Sequence, residues 1–409
     1  MAPDAQTVAA VERSLRLLPL WWVLRWAWLG EAIWVIYLIE DRGLTLGQVL
    51  LFDAVVFGVT VLAEVPTGVV ADRYSRRLSM VLGSLVSAGA FVAFGLAGTI
   101  EVLLGSYVLF AVGGALMSGA DDAFLFDSLR AVGRAEQFAS AAGRLNGLTT
   151  VAIAGFTIVG GVMVIWTPLS WPIVLSGLLS LLAAGCAWLL VEPPHQASRS
   201  SFLRTGRNAG LRVLRMPALR WVVVIAAAVQ ATELVVFSTF QPILVGEGVA
   251  VWALGWIAAA MMLVSAAGSW SSGHFGRTVG LDRSLRLLPA AAALALLGGA
   301  SQLLWLFPLF ALARFSHAAL HPLVAEYLAS RVPGEERATV LSVNQMAAWI
   351  ATIVITLGLG LAVDRSGLGP SLAVVSGLLL AVTVGAYLLW RAAGDREARP
   401  PPALGEPPR

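Results

Sequence analysis

A few charged and polar side chains stand inside long apolar runs of this sequence, and these are the residues with chemistry open to them. They are Arg25 and Glu31, Asp121 and Asp122, Gln230 and Glu233, and Arg314, His317 and His321. An ionisable group at mid-membrane costs at least a few kcal/mol on insertion scales, so it faces a cavity or a partner and is a functional candidate by default. Arg314, His317 and His321 recur at i, i+3 and i+7, which puts them on one stripe of a helix. The two histidines have a spacing that can ligate a metal, but no carboxylate joins their stripe before Glu326, so neither a metal nor any other cofactor is expected. Histidine titrates near neutral pH, which suits proton transfer; packing and hydrogen bonding is the plainer alternative and the preferred one. Asp121 and Asp122, being adjacent, point about 100° apart on a helix, so that one can face a cavity while the other meets a neighbouring helix. Arg25 lies at similar depth and is expected to pair with one of them, because an unpaired arginine there is costly. Glu31 and Glu233, near mid-membrane where hydration is lost, are the leading candidates for binding a coupling proton.

The elements that must position these groups are membrane helices. Of 409 residues, 58% are hydrophobic and 12% charged, with a mean hydropathy of +0.82, whereas soluble domains carry roughly a quarter charged residues. Runs able to cross the hydrocarbon layer, about 20 apolar residues each, fall at 17–39, 46–70, 78–98, 103–126, 138–166 and 170–191, and again at 219–245, 252–275, 285–302, 304–328, 338–363 and 368–390. The expected fold is an all-α membrane protein of twelve transmembrane helices in two six-helix bundles, 1–191 and 219–392. A polar linker at 192–218 joins them, and a proline-rich tail, 393–409, cannot pack. The run at 17–39 follows Arg13 and Arg16 but is too long for a cleavable signal, and reads as the first span.

Charge placement orients the chain. The even-numbered connections hold Arg73, Arg76, Arg77, Arg130, Arg134, Arg277, Arg283, Arg286, Arg331 and Arg337, the odd-numbered ones only Arg42 and Arg365. Both termini are therefore expected on the cytoplasmic side. The net charge of +3 sits in these loops rather than on one basic face, which argues against nucleic-acid binding. The sequence contains no lysine, which removes a P-loop lysine and a Schiff-base lysine, and its single cysteine, Cys186, lies in an apolar run with no disulfide partner. No zinc-protease helix motif or nucleophile constellation is present, so an enzyme is not expected.

A shift of about 199 residues lays Glu136, Ala139, Ser140 and Gly161 on Glu335, Ala338, Thr339 and Gly360; with one gap it lays Gly68 on Gly268 and Arg77 on Arg277. Two parallel repeats of six helices follow. After the second span the chain reads Gly68-Val69-Val70-Ala71-Asp72-Arg73-Tyr74-Ser75-Arg76-Arg77. This resembles the signature loop of the major facilitator superfamily: Gly, three residues, Asp-Arg, two residues, then a basic pair. Gly68 is expected to let two helices approach closely, and Asp72 to sit at a helix N-terminus. The resemblance implies a latch in which Arg73, Arg76 and Arg77 meet carboxylates, with Asp127 at the end of the fourth span as the partner of Arg76. In the second-half copy Ser272 and Gly273 replace the Asp-Arg step, and the latch is expected to be degenerate.

The polar residues listed first fall on spans one, four, seven and ten, the four that line the central cavity in that superfamily. The resemblance therefore implies a bacterial inner-membrane transporter, acting as a monomer in the lipid bilayer, whose partners are a small-molecule substrate and protons. Two six-helix halves would rock about a midplane site. Export of drugs or other lipophilic compounds by proton antiport is the first expectation, and import of a small, possibly anionic, metabolite held by Arg25 or Arg314 is the alternative. Gly147, Gly155, Gly160 and Gly161 supply the glycines of an antiporter-like fifth helix, although Phe156 stands where such helices carry proline. Trp21, Trp22, Trp26, Trp28 and Trp34 are read mostly as interface anchors.

Overall fold

The computed structural model describes residues 5–193, 213, 215–332 and 337–397. Most of the expected linker and tail lies outside them. Every regular element among the described residues is helical. The long helices are α1 (Ala5–Leu24), α2 (Leu46–Arg73), α3 (Arg76–Leu96), α4 (Ile100–Met117), α5 (Ala120–Ala131), α6 (Phe138–Met163) and α7 (Ser170–Leu189), then α8 (Pro217–Gly246), α9 (Leu254–His274), α10 (Leu281–Ala300), α11 (Leu312–Ser330), α12 (Arg337–Ser366) and α13 (Leu368–Glu397). Among the described residues nine helical stretches are long and apolar enough to cross a membrane, counting α4 and α5 together. Large apolar side chains such as Leu62, Val151 and Trp270 lie exposed along them. In water such surfaces would drive aggregation; facing lipid they are matched to their solvent.

Three expected segments take a different form, and a fourth, at 285–302, is the expected single helix with an earlier start. The run at 17–39 is not one helix: α1 stops at Leu24, residues 25–33 form turns, and only Trp34–Ile36 and a π-helical turn, Tyr37–Asp41, follow. The run at 103–126 is broken between α4 and α5 at Ser118 and Gly119, where Gly119 adopts a left-handed φ of 75° that a Cβ would oppose. The segment at 285–302 is α10, which carries Asp282, Arg283 and Arg286 in its first turns. The one at 304–328 opens as a 3-10 turn and a four-residue helix, Phe307–Phe310, before α11.

The chain forms two compact units. The first holds residues 5–193 with Ser238–Leu263 and Thr356–Ser366; the second holds the described residues of Ser200–Phe237, Val264–Ile355 and Gly367–Arg409. Within the first unit small residues let helices close on each other. A Cβ at Gly177 of α7 would come within 3.0 Å of the Ala88 carbonyl on α3, and one at Gly83 of α3 within 2.9 Å of the Gly113 carbonyl on α4. Two further glycine contacts follow the sequence repeat: Gly161 of α6 lies against Gly255 of α9, and Gly360 of α12 against Gly47 of α2. Asp364 of α12 completes the latter, accepting from Thr45 Oγ1 at 2.7 Å and from the Gly47 N–H at 3.1 Å. In the second unit Val222, Ile225, Leu288, Leu320, Leu328 and Tyr387 form the centre of the apolar core.

Candidate functional site

The break after α1 shapes the first part of the site. Residues outside a helix ladder leave backbone groups that need partners in a medium without water. Here the Leu29 N–H donates to Ser176 Oγ of α7 at 2.9 Å. The fully buried Gln241 of α8 serves two more groups: its amide donates to the Glu31 carbonyl at 3.0 Å, and its Oε1 accepts from the Val35 N–H at 3.0 Å. The broken stretch presses so closely on α6 that a Cβ at Gly160 would stand 1.7 Å from the Leu29 carbonyl oxygen. Glu31 thus sits in non-helical backbone, and its side chain accepts from Thr157 Oγ1 of α6 at 3.5 Å.

Arg25 lies at the start of the same break and forms an ion pair with Asp121, in the first turn of α5 just after Gly119. Three indoles surround its guanidinium, Trp21, Trp22 and Trp26, each with the ring centre 5.1 Å away. Trp21, Trp22 and Trp34 are buried, so these three are core residues rather than interface anchors, while Trp26 is half exposed. The next residue, Asp122, donates its N–H to Asp121 Oδ1 at 2.7 Å and turns its own side chain outward. The acidic pair occupies a helix N-terminus, where unpaired N–H groups favour negative charge.

A second cluster lies in the second unit. Arg314 of α11 pairs with Glu233 of α8 at 3.2 Å. His317 Nε2 and Gln230 Oε1 are 2.8 Å apart, and the His317 and His321 rings stand 5.9 Å apart on one face. Gln230, His317 and His321 line a cleft with Asn344 and Gln345 of α12. The Asn344 Oδ1 is buried there with no hydrogen-bond partner among the described residues, a polar feature not singled out in the sequence.

At the other end of the helices, Arg76 forms an ion pair with Asp127 and donates to the Ala123 carbonyl at 2.7 Å. Asp72 and Arg73 end α2, and their side chains lie outside the described residues. Glu192, assigned to the linker on sequence, belongs to this cluster: its carboxylate accepts from Ser75 Oγ at 2.6 Å and from the Arg76 and Arg77 N–H groups at 2.9 Å each. It thereby caps the N-terminus of α3, whose free N–H groups were the sequence signal for such a partner. Arg77 donates to the Leu190 carbonyl at 3.0 Å. The role expected of Gly68 is not what the structure shows, because a Cβ there would meet nothing within 4 Å; its second-half counterpart Gly268 does make a close approach, with the Phe315 carbonyl 2.4 Å from its would-be Cβ.

Broken, charge-bearing helices inside an apolar bundle define a membrane transport protein rather than a structural anchor. The sequence matches the Major Facilitator Superfamily over residues 25–300, and the chain belongs to that family. No curated protein matches the chain in sequence. Its fold is similar to a bacterial homologue of the human lysosomal transporter Spinster, solved in an inward-facing and occupied conformation, with 18% identity, a TM-score of 0.74, and coverage of 96% of this chain and 99% of that one. It is similar also to the nucleoside transporter NupG, at 12% identity and a TM-score of 0.72 over 93% of this chain and 99% of that one. A D-xylose–proton symporter gives 13% identity and a TM-score of 0.71 over 92% and 97%. At these identities the likeness is one of fold.

Proposed function

We propose that this transporter works by alternating access and exports lipophilic, cationic compounds in exchange for protons across a bacterial plasma or inner membrane. In this reading twelve spans form two six-helix halves, 1–191 and 219–392, with both termini cytoplasmic and the 192–218 linker between them. The observation that carries the reading is a charge balance. In the first unit Arg25 is paired with Asp121, and Asp122 beside them adds a second carboxylate; in the second unit Arg314 is paired with Glu233. Each arginine is thus matched by a carboxylate within its own unit, so an anionic substrate would first have to displace that carboxylate, which leaves cations the better-matched class. Glu31 and Glu233 are the carboxylates assigned to proton coupling, and Arg76 with Asp127 and Glu192 holds one conformer shut.

The test is proton movement in proteoliposomes under an imposed pH gradient, with lipophilic cations and small organic anions added in turn to wild type, Glu31→Gln and Glu233→Gln. The expected result is that lipophilic cations dissipate the gradient and that one glutamine variant abolishes this. Dissipation by anions alone, or no proton movement, overturns the reading.

A further inference from the structure

Asp53 lies two turns into α2, in the first unit, and belongs to none of the clusters above. Its side chain is buried, at 8% exposure, and its partner is Ser238 of α8, which donates from Oγ to Asp53 Oδ2 at 2.8 Å. Ser238 is buried as well. No arginine, histidine or second carboxyl among the described residues acts on Asp53; the titratable group that faces it is Tyr107 of α4. The Tyr107 ring stands edge-on to Phe52 with centroids 5.5 Å apart, and its hydroxyl is buried with no hydrogen-bond partner among the described residues. A carboxylate held by one hydroxyl, without a cation, in a buried helix contact is a costly arrangement, whereas the neutral acid is well served there.

We propose that Asp53 is a proton-binding site whose occupancy holds the Ser238 end of α8 against α2, so that protonation closes this contact and loss of the proton opens it to water. Proton binding and closure are then linked: the proton stabilises the closed contact, and a charged Asp53 stabilises a hydrated, open one. This adds a proton-binding carboxyl to Glu31 and Glu233, at a contact that already includes Gln241 one turn further along α8 and the Thr45–Asp364 tie beside the start of α2. The proposal rests on the transporter reading for its purpose but not for its observable.

The experiment replaces Cys186 by alanine, places spin labels at Asp41→Cys and Glu247→Cys, two exposed positions of the first unit, and measures the label-to-label distance against pH in nanodiscs. The background protein is expected to show a short distance at low pH and a growing long-distance population as pH rises. Asp53→Asn, a permanent mimic of the neutral acid, is expected to keep the short distance throughout; Ser238→Ala, which retains the carboxyl, keeps the pH response at a displaced midpoint and so shows that the labelled fold survives change at this contact. An Asp53→Asn protein that responds to pH as the background does, or a background with no response, overturns the proposal. The distance readout is separate from transport: if no proton flux accompanies substrate in liposomes but the pH response vanishes in Asp53→Asn, antiport falls and the proton site stands.

Discussion

Removing Asp121 would leave Arg25 buried beside aromatic rings with its main counter-charge gone. The Arg25 and Asp121 side chains are 10% and 6% exposed, so the pair is in the regime where deleting one partner costs about 3–5 kcal/mol. Two features set the figure within that range. Asp122 remains close enough to act on Arg25, and the contacts with Trp21, Trp22 and Trp26 are kept, so Asp121→Ala should cost about 3 kcal/mol. Arg25→Met keeps the length of the stem and leaves a carboxyl that still accepts the Asp122 N–H; its cost should be about 2 kcal/mol. The double variant Arg25→Met with Asp121→Ala has no buried charge left over and should cost about 2 kcal/mol rather than the sum of about 5 kcal/mol. Reversible denaturation in mixed micelles followed by helical circular dichroism gives the three values without relying on the tryptophans at the site. If the two single costs add to within about 0.5 kcal/mol in the double variant, the pair is not coupled and the reasoning fails.

Gly160→Ala drives a methyl into the Leu29 carbonyl and should cost at least about 3 kcal/mol, read as lost monodisperse yield and lowered melting temperature; Gly68→Ala, which meets nothing, should stay within about 0.5 kcal/mol of wild type. Gln241→Leu withdraws both bonds that serve the broken stretch and should destabilise by about 2–3 kcal/mol, with faster hydrogen exchange at the Val35 amide as its local signature. Glu192→Ala removes the acceptor of three donors at the start of α3 and should cost about 1–2 kcal/mol, whereas Glu192→Gln, with one acceptor oxygen in place of two, should keep the Ser75 contact and lose one of the two backbone N–H bonds. The same denaturation assay ranks all five variants.

The membrane class and the position of most helices were legible because apolar runs of this length have few other uses, and the buried charges stood out against them. What could not be read was the backbone between the charges. Gly30 and the Ser118-Gly119 step are ordinary in membrane helices, and only the structure shows that one lies within a nine-residue break and the other divides a span. Gly68 and Gly160 illustrate the same limit from the other side: a glycine in a known motif and a glycine in an apolar run look equally purposeful, yet only the second sits where a side chain cannot. Partners distant in sequence were missed for a related reason. Gln241 and Asp53 sit in apolar runs with polarity as plain as that of Gln230 and Glu31, and Glu192 borders the sixth run; which backbone each would serve depends on helix crossings that a single sequence does not encode.

The breaks also bear on how such a protein can move. Residues 25–33 have exchanged regular helix bonds for turn bonds such as that from the Trp26 N–H to the Val23 carbonyl, and side chains on two other helices, Ser176 on α7 and Gln241 on α8, serve the Leu29 N–H, the Glu31 carbonyl and the Val35 N–H. A regular helix keeps its bonds whatever its neighbours do, so sliding α8 past it would change only packing. Here sliding α8 must trade the Gln241 bonds for others, because a bare N–H and C=O in this medium each cost a further few kcal/mol. A conformational change that exchanges partners rather than losing them keeps the two states close in free energy, which is the condition for one proton or one substrate to select between them. The carboxyl of Glu31, in the same stretch as the carbonyl that Gln241 holds, is then placed to feel that exchange directly, and neutralising it should alter the balance of conformers even where binding is unchanged.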